Sequence, residues 1–246
     1  MQQYFVKGSA GRNLVIEDKD TIKHMFQVMR LAKDDQVILV FDDGIKRLAR
    51  VVDEKEYRFE VMEKLPDQVE LPVDITIACG FPKGDKLEFL VQKTTELGAS
   101  QFWAFPADWS VVKWDDKKII KKTEKLQKTA LGAAEQSKRN RVPDVSLFAS
   151  KSDFLGALDQ FDTVFIAYEE SAKVGECSTL VEVLSNLRGS EKILFIFGPE
   201  GGLSPAEVIQ FETKGGYKIG LGPRIMRAET APLYALASVS VLKELM

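Results

Sequence analysis

The sequence predicts an α/β domain with a mainly parallel sheet, preceded by a small β-barrel. Three observations carry this reading. Residues 1–70 hold short strand-like runs broken by turns. A polar stretch bracketed by Leu65-Pro66 and Leu71-Pro72 follows, the natural linker. From residue 73 onward, β-rich runs alternate with helical spacing, the pattern of a parallel sheet covered by helices. The expected division is a barrel over 1–70 and an α/β domain over 73–246.

In the barrel, Val37 to Phe41 is an apolar run and Asp42-Asp43-Gly44 a turn. Arg47 to Val52 and Tyr57 to Met62 alternate weakly, as strands do. Several short strands of this kind close most simply into a small barrel. In the larger region Val73–Ala78 reads as a strand. Asp85 and Glu88 have the form of a capping box. Leu87, Leu90, Val91 and Leu97 then fall at near-helical spacing, and Gly98 is a stop. Gln101–Phe105 reads as a strand. Asp116 to Gln136 reads as a long helix with Ile119, Leu126, Ala130 and Ala133 inward. Thr163–Tyr168, Ile193–Phe197 and Tyr217–Leu221 are further strands, alternating with helices near 177–187, 205–214 and 231–244. Tyr234 to Leu242 carries no charge, and a helix apolar on every face is normally buried, here against a second subunit.

Composition narrows the function. With 45% hydrophobic and 29% charged residues, the 246-residue chain falls in the ordinary globular range. No stretch approaches the ~18 apolar residues of a membrane span, and the first residues lack a signal pattern, so a cytoplasmic protein is expected. Cys79 and Cys177 stand apart and are expected to be buried thiols. His24 is the only histidine, which argues against histidine-rich metal sites and a Ser-His-Asp hydrolase; no metal is expected. A net charge of −3 does not advertise nucleic-acid binding, so an RNA partner would require locally concentrated basic residues.

Two loops carry the chemistry. Phe197-Gly198-Pro199-Glu200-Gly201-Gly202-Leu203 follows a buried strand and precedes Ser204-Pro205-Ala206-Glu207. Ser204 is the N-cap, Pro205 the first helical residue and Glu207 the closing member of a capping box. The loop therefore lies between a strand end and a helix start, where open α/β sheets bind ligands. One glycine would serve a plain turn, whereas three permit close backbone approach. The second loop, Leu221 to Pro232, also follows a strand and holds Arg224, Arg227 and Glu229. Its plain reading is a solvated loop with a surface ion pair; its place beside the first favours a site. Gly220-Leu221-Gly222 begins like a dinucleotide fingerprint, but Ile225 occupies the third glycine position, which excludes an NAD-type dehydrogenase. No phosphate-loop motif is present. The residues alone give an α/β protein with a ligand site in these loops.

GPEGGLSPAE at 198–207 and LGPRIMRAETAPLYAL at 221–236 closely resemble signatures of the RsmE family. These are the ribosomal RNA small-subunit uridine N3-methyltransferases of the SPOUT superfamily. Pro82 to Leu97 resembles that family's first SPOUT helix. Ser110 to Lys113, Ala133 to Ser137 and Arg139 to Pro143 also match, and His24 to Leu31, HMFQVMRL, resembles a motif of its PUA-like barrel. The similarity runs the whole length.

The resemblance implies a SPOUT-type parallel sheet with a C-terminal trefoil knot, a homodimer, and S-adenosylmethionine as cofactor. Its implied contacts are Phe197, Gly198, Pro199, Gly201 and Gly202 in the first loop. In the second they are Leu221, Gly222, Ile225, Met226, Arg227 and Thr230, with Ala167 and Tyr168 lining the same pocket. The implied reaction methylates N3 of one uridine in 16S ribosomal RNA of the small subunit. N3 normally carries a proton, which must leave before the nitrogen attacks. Arg227 is the candidate cation for charge developing on the uracil and Glu229 the candidate proton acceptor; an Arg227–Glu229 ion pair bracing the loop is the alternative. The RNA contacts are assigned to His24, Arg30, Trp109, Lys113, Lys138, Arg139 and Arg141. The lysines at 117, 118, 121, 122, 125 and 128 form a further basic face. The family commonly has arginines, expected to face RNA, where this chain has Gln3, Gln27 and Trp109; Trp109 substitutes a stacking surface for a charge. Two rival readings stay open: a SPOUT enzyme acting at another RNA position, and a non-catalytic RNA-binding assembly factor.

Overall fold

The computed structural model describes residues 1–169, 179–186 and 189–246. Its chain divides into two compact units. The first is Met1–Glu70 with Ala134–Arg141, and the second Leu71–Ala133 with Val142–Met246. A boundary read along the chain misses the return of Ala134–Arg141 to the first unit.

The first unit is built on β1 (Gln3–Phe5), β2 (Asn13–Val15), β3 (Gln36–Val40), β4 (Lys46–Asp53) and β5 (Arg58–Lys64), paired in the order β1-β3-β4-β5-β2. Only β1–β3 is parallel among these pairs. Alternation in β3 and β4 sends Val37, Leu39, Ala49 and Val51 into one core with Tyr4 and Phe59. A helical segment, α1 (Lys19–Ile22) continuing with π-type spacing through Val28, was not foreseen as a helix. Asp18 caps it by accepting from the Thr21 N–H at 2.7 Å. Met25 is its one fully buried residue, which is too little periodicity to read from sequence.

A polar network closes the unit. The Arg139 guanidinium is ion-paired with Glu70 and its side chain is only 2% exposed. Gln3 Nε2 donates to the Arg139 carbonyl at 2.7 Å, and Asn140 Nδ2 donates to the Gly44 carbonyl at 2.9 Å. Burial pushes the Glu70 carboxyl up, but the Arg139 hydrogen bond and charge outweigh it and hold the group below the usual carboxylate range.

The second unit carries a six-stranded, all-parallel sheet in the order β11-β9-β10-β6-β7-β8 among the described residues. Its strands are β6 (Asp74–Gly80), β7 (Gln101–Phe105), β8 (Asp144–Leu147), β9 (Thr163–Ala167), β10 (Lys192–Phe197) and β11 (Tyr217–Ile219). Its helices are α2 (Lys86–Glu96), α3 (Asp116–Gln136), α4 (Lys151–Gly156), α5 (Thr179–Asn186), α6 (Pro205–Thr213) and α7 (Ala231–Ser240). Apolar clusters lie on both faces of the sheet, as continuous runs such as Ile193–Phe197 require. The inward positions expected of α3, Ile119, Leu126, Ala130 and Ala133, are all buried. Strand β8 and helix α4 were not read from the sequence. Cys79 is buried, and burial pushes its thiol up, away from reactivity. Cys177 and the ends of the helix expected near 177–187 lie outside the described residues.

One expectation for the helices is corrected. Asp85 stands at the α2 N-cap with φ −96° and ψ 14°, without the extended backbone that aims a capping carboxylate at the first turn, and makes no side-chain cap bond. Glu88 is ion-paired with Lys125 instead. Within this chain helix α7 buries Pro232, Ala235, Leu236 and Val239 and leaves Tyr234 exposed. No helix among the described residues is long and apolar enough to cross a membrane.

Candidate active site

Strands β9, β10 and β11 end side by side, and the loops leaving their carboxyl ends surround a cavity of ≈ 610 Å³. Both glycine loops line it, as Ala167 and Tyr168 do. The predicted contacts Phe197, Gly198, Pro199, Gly201, Gly202, Leu221, Gly222, Ile225, Met226 and Arg227 all meet there. Thr230 is not in the lining; it is the exposed N-cap residue of α7.

The first loop is held on every side. Ser204 and Glu207 make both bonds of the capping box, at 3.1 Å and 3.0 Å. Glu207 is fully buried and also accepts the Asp108 N–H at 2.8 Å and a Lys151 ion pair at 3.2 Å. A side chain at Gly198 would run into the backbone of Gly202. A Cβ at Gly80, the last residue of β6, would fall 2.9 Å from the Pro199 nitrogen. Gly80 thus lets the loop lie against the sheet, a role sequence spacing does not reveal.

The second loop is looser. Gly222 takes φ +90°, which only glycine adopts at little cost. Ile225 is 74% exposed, although it lines the cavity. The Arg227 side chain is 86% exposed, and its guanidinium stands 4.0 Å from Glu229, the outer limit of an ion pair. Glu229 pairs instead with Lys86 at 3.0 Å. That contact with the Lys86 ammonium, followed by the Glu229 backbone N–H, holds its carboxyl below the usual range. Lys86 also meets Glu200 of the first loop at 3.0 Å. It was missed because both partners lie more than a hundred positions further along the chain, and no local spacing signals the pairing.

The predicted RNA-binding residues separate. Trp109 lines the cavity, 48% exposed, with its Cβ 3.1 Å from where a Gly201 Cβ would lie. Lys113 is exposed in the second unit but outside the cavity lining. In the first unit His24 and Arg30 are exposed, and His24 Nδ1 meets the Tyr4 hydroxyl at 3.1 Å. Lys138 donates to the Met1 carbonyl at 2.8 Å, and Arg141 is ion-paired with Glu70 at 3.3 Å. Arg139 is corrected: its buried guanidinium serves Glu70 and presents no surface to a phosphate. Gln3 is likewise 1% exposed, so that position does not face outward here. Among the described residues, no group of three His, Cys, Asp or Glu side chains is placed to hold a metal ion.

A barrel-like unit followed by a parallel sheet with glycine loops at its strand ends is the organisation of an RNA methyltransferase. The RNA methyltransferase domain family matches residues 69–240, and the RNA methyltransferase PUA domain family matches residues 16–62. The chain belongs to the ribosomal RNA small subunit methyltransferase E family. It is 43% identical to that methyltransferase from Bacillus subtilis, over 100% of this chain and 98% of the relative. It is 28% identical to the one from Mesomycoplasma hyopneumoniae, covering 96% and 97%. The crystal structure of the Neisseria gonorrhoeae enzyme, bound to S-adenosyl methionine, superposes with a TM-score of 0.82 at 27% identity, covering 98% of each chain.

Proposed function

We propose that the protein methylates N3 of a uridine in 16S ribosomal RNA of the small subunit, using S-adenosylmethionine. The observation that carries this is the convergence of both glycine loops on one cavity at the strand ends. The residues present fit the cofactor. Gly222 has open space where a side chain would project, and apolar Phe197 and Leu221 offer contact to an adenine. The cofactor supplies a methyl group on a positively charged sulfur.

The chain's own groups do the rest. Backbone of both loops would hold the ligand, with Gly198, Pro199, Gly201 and Gly202 forming one wall and Leu221, Gly222, Ile225 and Met226 the other. Arg227, exposed at the cavity and without a close carboxylate, is placed to stabilise negative charge on a uracil oxygen once N3 loses its proton. Glu229 is a poorer proton acceptor than the sequence suggested, because Lys86 lowers its affinity for a proton. Its role is better read as holding the loop. Trp109 offers a face on which a base can stack beside the first loop. Lys113, the exposed α3 lysines and, in the first unit, His24 and Arg30 would meet phosphates.

The family reading extends to a trefoil knot in the chain that forms these loops, to a cytoplasmic setting and to a homodimer. The exposed apolar Tyr234, Val241 and Leu245 support a second subunit on that side of the chain.

The test is methyl transfer onto 30S subunits and onto naked 16S RNA, followed by reverse transcription. N3 methylation blocks base pairing, so one new cofactor-dependent stop at a uridine is expected. Incorporation without a stop would move the reaction to another RNA position. Absence of cofactor binding would leave an RNA-binding assembly factor.

A further inference from the structure

Lys86 opens α2, an element that contributes nothing else to the cavity wall, yet its ammonium touches both loops. Nζ lies 3.0 Å from Glu200 Oε1 and 3.0 Å from Glu229 Oε2. Glu200 Oε1 also accepts the Lys83 N–H at 3.1 Å, so the start of α2 grips the first loop twice. The second loop has no comparable grip among its side chains: Arg227 is at the ion-pair limit and Ile225 is exposed. Without Lys86, two carboxylates would face each other across one cavity edge with no cation between them, a repulsive arrangement.

We propose that Lys86 is a positioning residue that latches the two loops together and sets the gap between them. This rests on reading the cavity as the S-adenosylmethionine site. The latch acts on loop spacing and not on the reacting atoms. It governs how tightly and how long the cofactor is held, and leaves the chemical step of the filled site nearly untouched.

The test compares wild type, Lys86→Met, Lys86→Arg and the double variant Lys86→Met with Glu229→Gln. Cofactor affinity is measured by calorimetry, turnover at saturating cofactor, and amide exchange over residues 221–230 in the free protein. Lys86→Met keeps the aliphatic stem and should raise the cofactor Kd at least tenfold and speed exchange in the second loop, with kcat changed less than threefold. Lys86→Arg should restore affinity to within threefold. The double variant should bind better than Lys86→Met alone, because one of the opposed charges is gone. Should Lys86→Met not fold, Glu200→Gln weakens the same latch from the other side and should raise Kd in the same direction. Unchanged affinity and exchange in a folded Lys86→Met would overturn the latch while leaving the cavity assignment intact. A wild-type protein that fails to bind S-adenosylmethionine would overturn both.

Discussion

The first unit turns a strong charge inward, and the second turns one outward. Arg139 is 2% exposed and paired with Glu70, whose carboxylate also accepts the Asn140 N–H at 2.8 Å. The Arg227 side chain is 86% exposed, and its guanidinium stands 4.0 Å from the Glu229 carboxylate. The two arginines share a chemistry and differ in what surrounds them. A buried guanidinium fixed by its partners contributes to stability and has nothing left to offer a ligand. An exposed one contributes little to stability and stays free to meet charge that arises only during a reaction.

The comparison breaks most visibly at Arg139. Arg139→Met takes away the buried cation and leaves Glu70 only the partly exposed Arg141, at 3.3 Å, so the loss falls at the lower end of the usual range. Removing one member of a buried pair costs about 3–5 kcal/mol. Chemical denaturation should register that loss, while calorimetric affinity for S-adenosylmethionine in the protein still folded stays within twofold of wild type. Equal stability of variant and wild type would mean the network is ornamental. At Arg227 the effects should exchange places. Arg227→Ala should leave the denaturation midpoint unchanged and lower kcat by about 10²–10³, the usual result of deleting one donor to a developing anion. A variant with normal kcat and raised cofactor Kd would move Arg227 from the chemistry to cofactor binding.

The same contrast shows what could be read from the sequence. Five of the six described strands of the second unit were legible, β10 most plainly because it is a continuous apolar run, whereas the polar β8 was not; α6 was legible because Ser204, Pro205 and Glu207 announce its start. The cavity was legible as two glycine loops after strands. The fate of individual charges was not. Arg139 and Arg141 lie two residues apart in one basic stretch, but burial separates them, with 2% and 41% of their side chains exposed. Glu70, which pairs with both, is 69 residues before Arg139. Asp85 and Ser204 head similar-looking capping boxes, and only Ser204 has the extended backbone, ψ 151°, that makes the bonds. Lys86 and Gly80 act through residues more than a hundred positions away. Such partners are set by tertiary placement, which periodicity does not encode.

The smallest expected effect sharpens the inward-facing side of the contrast. Glu135, in the segment that returns to the first unit, is a half-buried carboxyl that accepts a hydrogen bond from the Phe5 backbone and has Lys138 nearby. Burial outweighs both and pushes its pKa up from 4.5 to about 7. Unlike Glu70, it has no guanidinium to offset the loss of water. Because the folded state holds this proton more tightly than the unfolded state, the group costs nothing well below pH 4.5. Its penalty grows as pH rises through the interval between the two values and is complete above about 7. After discounting for the part of the side chain that water still reaches, the penalty is about 1–2 kcal/mol. Glu135→Gln retains an oxygen to accept the Phe5 bond and cannot ionise. It should therefore be more stable than wild type by about that amount at pH 8 and indistinguishable from it at pH 4, measured as paired denaturation curves. A difference that does not change between those two pH values would place the effect in packing and not in the proton.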